Sequence, residues 1–248
     1  MKQDRVSQSE ELVFRFKQFD VRNSQSAMKV NTDGVMLGAW AGVDCEPSEI
    51  WDVGCGTGVI GLMLAQRYPS AHVTCVDIDP LAAHEALANV KSSPWRDRMD
   101  VMAGDIFDLA ETVTRPQMIV SNPPYFSDSA YQLRSPERRK AMARHGEGLS
   151  FDTLIDMGAS RLADGGSLCV VAPAELAESI EWSAALSRLS VAERMMVSTK
   201  EGKAPRRSLW RLKKGSVHTL VSYMNIRDAR GCYTDEYRRL VKDFYIKL

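Results

Sequence analysis

The sequence lacks the cysteine and histidine patterns on which disulfide frameworks and zinc sites depend. Its five cysteines are odd in number, widely spaced between Cys45 and Cys232, and include no Cys-x-x-Cys pair. Disulfide-rich domains and structural zinc sites need closely spaced thiols, so we interpret these residues as reduced and mostly buried. The four histidines show no metal-ligand spacing. We therefore expect no metal in this protein.

Long hydrophobic runs are also missing. The longest nearly apolar stretch, residues 35–43, is far shorter than the about 20 residues that a membrane-spanning helix needs. The first residues show no apolar core of a signal peptide. We therefore expect a cytoplasmic protein without a membrane partner, with 248 residues in one large domain.

Net charge is absent as well, because 32 basic residues balance 32 acidic ones. The balance hides an asymmetry, since acids dominate residues 44–111 and two basic sets follow. The first set is Arg134, Arg138, Arg139, Lys140 and Arg144, and the second is Lys200, Lys203, Arg206, Arg207, Arg211, Lys213 and Lys214. A solvated surface explains most charge runs. Two basic sets downstream of the motifs described below nevertheless raise the hypothesis of a polyanionic partner.

What the sequence does contain is a strand, a glycine-rich turn and a helix in succession. Residues 50–53 predict a buried strand, Gly54-Cys55-Gly56-Thr57-Gly58 a turn, and residues 59–68 a helix. Glycines let the backbone approach a ligand, and a helix start presents free NH groups, so a nucleotide-like ligand is indicated.

The glycines of this turn also match the motif of a second class of nucleotide-binding enzyme. Residues 56–61 match the Gly-x-Gly-x-x-Gly fingerprint of dinucleotide-binding enzymes, which keeps a nicotinamide-dependent dehydrogenase as an alternative. Asp52 argues against it, because a carboxylate at the strand end suits a cationic ammonium or sulfonium group better than a pyrophosphate.

Further polar residues follow the next two predicted strands. Asp77 ends the strand at residues 71–76 and is placed to accept hydrogen bonds from two ribose hydroxyls. Asp79 precedes Pro80 and is the natural N-cap of the following helix. Asp105 follows a strand near residues 100–103 and could accept from an adenine amino group, although a plain turn role fits equally well.

The fourth strand leads into Asn122-Pro123-Pro124-Tyr125, where we expect the chemistry. The Asn amide oxygen and a backbone carbonyl can each accept one hydrogen of a planar NH2 group. The two prolines restrict the backbone, and Tyr125 offers a ring face to a flat substrate. Asp52, Asp77, Asp105 and Asn122 thus follow successive strands, at the edge where open α/β sheets bind ligands.

These motifs carry a family resemblance. The segment from Asp52 to Gly58 resembles the first motif of class I S-adenosylmethionine-dependent methyltransferases. Asn122 to Tyr125 resembles the motif of members that methylate amino groups conjugated to a ring or a carbonyl. With the flanking segments 29–40, 143–145 and 204–207, the chain resembles the bacterial tRNA1(Val) adenine-37 N6-methyltransferases almost end to end.

The resemblance implies a fold. We expect an α/β class I methyltransferase fold, a Rossmann-like three-layer sandwich with a seven-stranded, mostly parallel sheet and an antiparallel last strand. Residues 1–248 would form one methyltransferase domain, with an N-terminal extension and substrate-side helix (1–45), a cofactor-binding and catalytic core (46–190) and closing strands (191–248). Alternating residues predict that 191–197 and 218–225 form the closing antiparallel pair, joined by a basic loop at 200–216.

The resemblance also implies the reaction, N6-methylation of an adenine in tRNA with S-adenosylmethionine as cofactor by a protein that we expect to be a monomer. The predicted catalytic residues are Asn122, Pro123, Pro124 and Tyr125. The predicted cofactor-binding residues are Asp52, Gly54, Gly56, Gly58, Asp77, Ile78, Asp105, Ile106 and Asn122. The predicted RNA-binding residues are Arg138, Arg139, Lys140, Arg206 and Arg207. A glutamine-N5 protein methyltransferase and an RNA-binding module with a vestigial pocket remain alternatives beside the dehydrogenase.

Overall fold

Eight strands form one sheet at the centre of the computed structural model, which describes residues 12–42, 44–109, 115–124 and 149–248. Tyr125, Arg138, Arg139 and Lys140 therefore lie outside the described residues. The strands of the sheet are β3 (Glu49–Val53), β4 (His72–Asp77), β5 (Met99–Ala103), β6 (Met118–Ser121), β7 (Ser167–Pro173), β8 (Leu189–Lys200), β9 (Arg207–Lys214) and β10 (Leu220–Arg227). Their order is β10-β8-β9-β7-β6-β3-β4-β5. A separate antiparallel hairpin, β1 (Val13–Arg15) with β2 (Asp20–Arg22), precedes them.

Helices cover both faces of the sheet. They are α1 (Thr32–Trp40), α2 (Val59–Arg67), α3 (Pro80–Ser92), α4 (Ile106–Leu109), α5 (Phe151–Arg161), α6 (Ala177–Leu186) and α7 (Asp235–Val241). One apolar cluster joins α1, α2, α3 and α7 to the sheet, and a second joins α4, α5 and α6 to the opposite face. The predicted three-layer sandwich is confirmed. Within the described ranges, no helix is both long and apolar enough to cross a membrane.

Local capping chemistry sets where the helices begin. The side chain of Asn31 accepts from Gly34 N at 2.9 Å and starts α1. Asp79 accepts from Leu81 N at 2.9 Å, with Pro80 in the first turn of α3. Ser150 caps α5 in a capping box. The predicted N-cap of α3 at Asp79 is confirmed.

The carboxyl-terminal part of the sheet corrects our expectation. About half of the predicted basic loop at 200–216 is strand β9, which runs antiparallel to both of its neighbours, β7 and β8. The strand β10 runs parallel to β8, so these two are not an antiparallel pair. Within the described ranges the sheet has eight strands instead of the predicted seven, and its antiparallel strand is β9 and not the last strand, β10. The division of the chain at residues 45 and 190 stays a prediction.

The topology brings several strand ends together. Seven strands of the sheet share one direction, so their carboxyl ends lie along one edge, which we call the carboxyl edge. Because β9 runs the other way, its first residue, Arg207, lies opposite Pro173 at that same edge. The glycine turn, Asn122 and the start of β9 therefore share one side of the molecule.

Candidate active site

The glycine turn after β3 is held by backbone hydrogen bonds to the neighbouring strand. Gly54 N and Cys55 N both donate to Val76 O, at 2.8 and 3.1 Å. Gly56 has a φ of 56°, which a side chain would strain, and a Cβ there would lie 3.1 Å from Ser26 Oγ. Gly56 therefore has little room for a side chain, and the turn leads directly into the start of α2.

Asp77 lies at the end of β4 beside this turn. Its Oδ2 accepts from Gly56 N at 2.7 Å and its Oδ1 accepts from Asp79 N at 2.9 Å. The residue is half-buried, and this burial raises the pKa of its carboxyl group in spite of the two backbone donors. Each carboxylate oxygen has a second lone pair, so the group can still accept from a ligand. Ile78 follows with 57% of its surface exposed, as an apolar wall beside this carboxylate.

Asp52 differs from our expectation of a cofactor ligand. Residues alternate along β3, so the side chain of Asp52 points under the first turn of α2 and is fully buried. Its Oδ2 accepts from Gly61 N at 2.8 Å, and its Oδ1 has no hydrogen-bond partner within the described ranges. Burial raises the pKa of this carboxyl to about 7. The side chain is thus placed to hold the helix start and presents no surface to a ligand in the cleft.

Asp105 and Ile106 lie at the start of α4. Asp105 Oδ1 accepts from Phe107 N at 3.0 Å, which is the turn role that the sequence also allowed. Ile106 is 6% exposed and packs in the second apolar cluster, so it offers little surface to an adenine ring. The half-buried Phe107 is the more accessible apolar neighbour. A contact of Asp105 with an adenine amino group stays a prediction.

Asn122 follows β6 on the same side of the sheet as Asp52. The preceding residue fixes the strand end, because Ser121 Oγ donates to Val53 O at 2.7 Å. Asn122 is 7% exposed, and its Nδ2 lies 3.3 Å from the sulfur of Met28. Pro123 is buried and Pro124 is exposed. The predicted catalytic residues within the described ranges therefore lie together at the carboxyl edge.

A segment that the sequence analysis did not assign covers this site. Residues 23–30, which we call the cap segment, contact both α3 and the glycine turn. Glu85 of α3 accepts from the backbone NH groups of Ser24, Gln25 and Ser26, at 2.6, 2.8 and 2.8 Å. One pattern could have revealed it. Glu85 and Asn89 are polar residues at i and i+4 on the otherwise apolar buried face of α3.

The basic residues of the second set divide between two edges. Arg206 is exposed and Arg207 is half-buried, and both lie at the carboxyl edge. Lys213 lies opposite Ser167, at the start of β7, about 20 Å from Arg207 along the strand. Arg211 and Lys213 both pair with Asp44, and Lys214 Nζ donates to Leu162 O at 2.7 Å. Lys213 and Lys214, which the sequence grouped with Arg206 and Arg207 in one basic set, therefore lie away from the carboxyl edge, and the expectation that the whole set faces one polyanionic partner is wrong for these two.

Comparison with known proteins decides the family. The methyltransferase small domain family matches residues 43–196. A tRNA1(Val) (adenine(37)-N6)-methyltransferase from Porphyromonas gingivalis is 40% identical over 244 residues, which cover 94% of each chain. A protein of the same name from Bacteroides thetaiotaomicron is 38% identical, over 95% of this chain and 98% of the relative. This chain belongs to the tRNA1(Val) (adenine(37)-N6)-methyltransferase family.

Solved structures agree with the family at the level of the fold. A predicted O-methyltransferase from Agrobacterium tumefaciens superimposes with a TM-score of 0.66 at 18% identity, covering 86% of this chain and 96% of that one. Family membership, and not the buried Asp52, is what separates this protein from dehydrogenases that share the glycine fingerprint. In the part of the chain that the structure describes, no group of His, Cys, Asp or Glu side chains could hold a metal ion.

Proposed function

We propose that this protein transfers a methyl group from S-adenosylmethionine to N6 of an adenine in tRNA, at position 37 beside the anticodon of a valine tRNA. The observation that carries the proposal is the position of Asn122 and Pro123. They follow a central strand, next to the glycine turn, in a chain of this family. A tRNA substrate implies work in the cytoplasm, and we expect the protein to act as a monomer.

The chain's own residues fit the proposed cofactor. The turn at residues 54–58 lets a ligand approach the backbone closely, and Gly56 could not carry a side chain without meeting Ser26. Asp77 would accept hydrogen bonds from the ribose hydroxyls, and Ile78 would contact the flat base from one side. S-adenosylmethionine supplies a methyl group on a positively charged sulfur. Asp52 would act indirectly, by fixing the first turn of α2 beside the bound ligand.

Asn122 and Pro123 would act on the acceptor amine. The lone pair of an exocyclic amine is delocalised into the adenine ring, so the nitrogen is a poor nucleophile. The amide oxygen of Asn122 and the carbonyl of Pro123 would each accept one hydrogen and favour a pyramidal nitrogen whose lone pair faces the methyl donor. When the nitrogen has gained the methyl group it carries a positive charge and one proton too many. That proton can leave to water, so no strong base is needed.

The RNA would reach the site through an unpaired base. An amine inside a helix cannot enter the cleft, whereas a base in an anticodon loop can be turned out at a cost of about a few kcal/mol. Contacts to phosphates must offset this cost. Arg206 and Arg207 lie at the carboxyl edge where such contacts are needed. A role for Arg138, Arg139 and Lys140 stays a prediction, since they lie outside the described residues.

The deciding experiment offers the purified protein radiolabelled S-adenosylmethionine together with total RNA and total protein. We expect label in the small RNA fraction, and nucleoside analysis should identify it as N6-methyladenosine. Valine tRNA whose adenine at position 37 is replaced should take up no label. Label found only on glutamine of a protein would overturn the RNA assignment and favour the glutamine-N5 reaction.

A further inference from the structure

The contact between Met28 and Asn122 constrains the orientation of the amide. A thioether sulfur has no hydrogen to donate and is only a weak acceptor. It therefore suits the Nδ2 end of the Asn122 side chain, which lies 3.3 Å away, and does not suit the Oδ1 end. The contact turns Oδ1 away from Met28. Because Oδ1 is the atom that must accept from the substrate amine, the orientation of this amide matters for the proposed reaction.

Met28 itself is held by bonds within the cap segment. Ser26 Oγ donates to Met28 O at 3.1 Å, and the NH of Val30 donates to Asn23 Oδ1 at 2.9 Å. These bonds fix the backbone on both sides of Met28. Ser26 also lies against Gly56, so the segment cannot move inward without meeting the glycine turn.

Glu85 anchors the cap segment to the fold. Its carboxylate is 3% exposed and accepts the three backbone NH groups of residues 24–26, together with Ser24 Oγ at 3.1 Å. Burial alone would raise the pKa of Glu85, but the NH groups of Gln25, Ser26 and Ser24 outweigh it and the pKa is lowered. Hydrogen bonds to an ionised carboxylate are stronger than neutral ones, so the anchor is firm.

We infer that Met28 is a positioning residue for methyl transfer, which holds the amide of Asn122 by its Nδ2 end so that Oδ1 faces away from Met28, and that Glu85 holds Met28 in place. The inference rests on the proposed function of Asn122. It assigns Met28 an effect on turnover and none on cofactor affinity, because Met28 contacts the amide that binds the acceptor. Glu85 should affect both, since the segment that it anchors also lies against the glycine turn.

The kinetic test replaces Met28 by Leu, which keeps the volume and removes the acceptor. We expect Met28→Leu to lower kcat by about tenfold, the effect of one modest hydrogen bond, and to leave the dissociation constant of S-adenosylmethionine unchanged. Met28→Gln returns an acceptor oxygen and should recover part of the lost kcat. The half-buried Met195 lies three strands from β6, so Met195→Leu is the matched control and should behave as wild type. Wild-type kcat in Met28→Leu would overturn the inference.

A second test needs neither cofactor nor RNA. In protein labelled with 13C at the methionine methyl groups, the signal that disappears in Met28→Leu identifies Met28. This signal should shift in Asn122→Ala and in Glu85→Gln, whereas it should not move in the control Glu178→Gln, which changes an exposed carboxylate. A Met28 signal unchanged in both test variants would disprove the contact and its anchor. Because this measurement involves no reaction, failure of the wild type to methylate RNA would count against the proposed function alone.

Discussion

Arg207 Nε donates to Asp33 Oδ2 at 2.6 Å and so ties the start of β9 to the first turn of α1. Both side chains are partly exposed, so this ion pair adds little to stability. It does fix where the positive charge lies, beside the carboxyl edge. Arg206, the preceding residue, is exposed, and its backbone is held by Ala174 N donating to Arg206 O at 3.1 Å. The two arginines are therefore presented together on a rigid strand end.

Reversal of these two charges should remove the RNA substrate but not the cofactor. We expect the double variant Arg206→Glu and Arg207→Glu to lose tRNA methylation at moderate salt, because two phosphate contacts become repulsive. Calorimetry should show unchanged binding of S-adenosylmethionine. The wild-type affinity for tRNA should also fall steeply as the salt concentration rises.

The matched control reverses two exposed basic residues at the opposite edge, Lys91 and Arg96. These lie at and after the end of α3, which points away from the carboxyl edge, and their reversal changes the net charge by the same amount. Equal loss of tRNA methylation in both double variants would mean that total charge, and not the position of Arg206 and Arg207, governs RNA binding.

Asp77 should contribute to the affinity for S-adenosylmethionine, whereas Asp79 should not. We expect Asp77→Asn to weaken binding of S-adenosylmethionine by about 1 to 3 kcal/mol, because an amide has one acceptor oxygen where the carboxylate serves two NH groups and the ribose. Asp79→Asn is the control, since Asn also caps helices well. Titration calorimetry measures both. Equal affinities in the two variants would exclude Asp77 as the ribose ligand.

The sequence was informative where local chemistry decides the structure. The turn at residues 54–58, the cap at Asp79 and the four successive strand ends follow from short patterns, and the structure has them as predicted. The strand β9 was missed because its charge indicates a loop. Arg211 and Lys213 are accommodated in a central strand through Asp44, which is more than 160 residues away in the chain.

Two features of the candidate site depended on geometry that no short pattern contains. The side chain of Asp52 follows the expected motif, but the alternation of β3 turns it under α2 instead of into the cleft. The cap segment has no periodicity, and its position is fixed by Glu85, about 60 residues downstream. Long-range bonds of this kind leave only indirect traces in the sequence, such as a carboxylate on the apolar face of a helix.

Asn122 should be essential for methyl transfer and dispensable for cofactor binding. We expect Asn122→Ala to lower kcat by orders of magnitude, because its oxygen contributes most when the amine nitrogen becomes pyramidal. The affinity for S-adenosylmethionine should stay nearly unchanged. Single-turnover transfer of label to tRNA measures the step directly. The control is Ser121→Ala, which removes the hydroxyl bound to Val53 O and keeps the side-chain amide of Asn122. It tests whether a less rigid strand end alone lowers kcat, and it should lower kcat far less than Asn122→Ala. Methyl transfer by Asn122→Ala at nearly the wild-type rate would contradict the proposed mechanism.

Asp52 should make the stability of the fold depend on pH. Burial raises the pKa of its carboxyl from 3.8 to about 7, so between these values the folded chain holds a proton that the unfolded chain has released. The free energy of unfolding must then fall as the pH rises through this window, and above it the loss is complete.

Asp52→Asn can keep the bond to Gly61 N and cannot ionise. Urea unfolding at pH 5 and at pH 8 should therefore show a larger loss of stability for the wild type than for Asp52→Asn, with the variant the more stable protein at pH 8. The negative charge of the half-buried Asp77 also favours the protonated form of Asp52, as a smaller cause than burial. An identical pH dependence in the two proteins would mean that Asp52 is ionised in the fold throughout, stabilised by the NH groups at the start of α2.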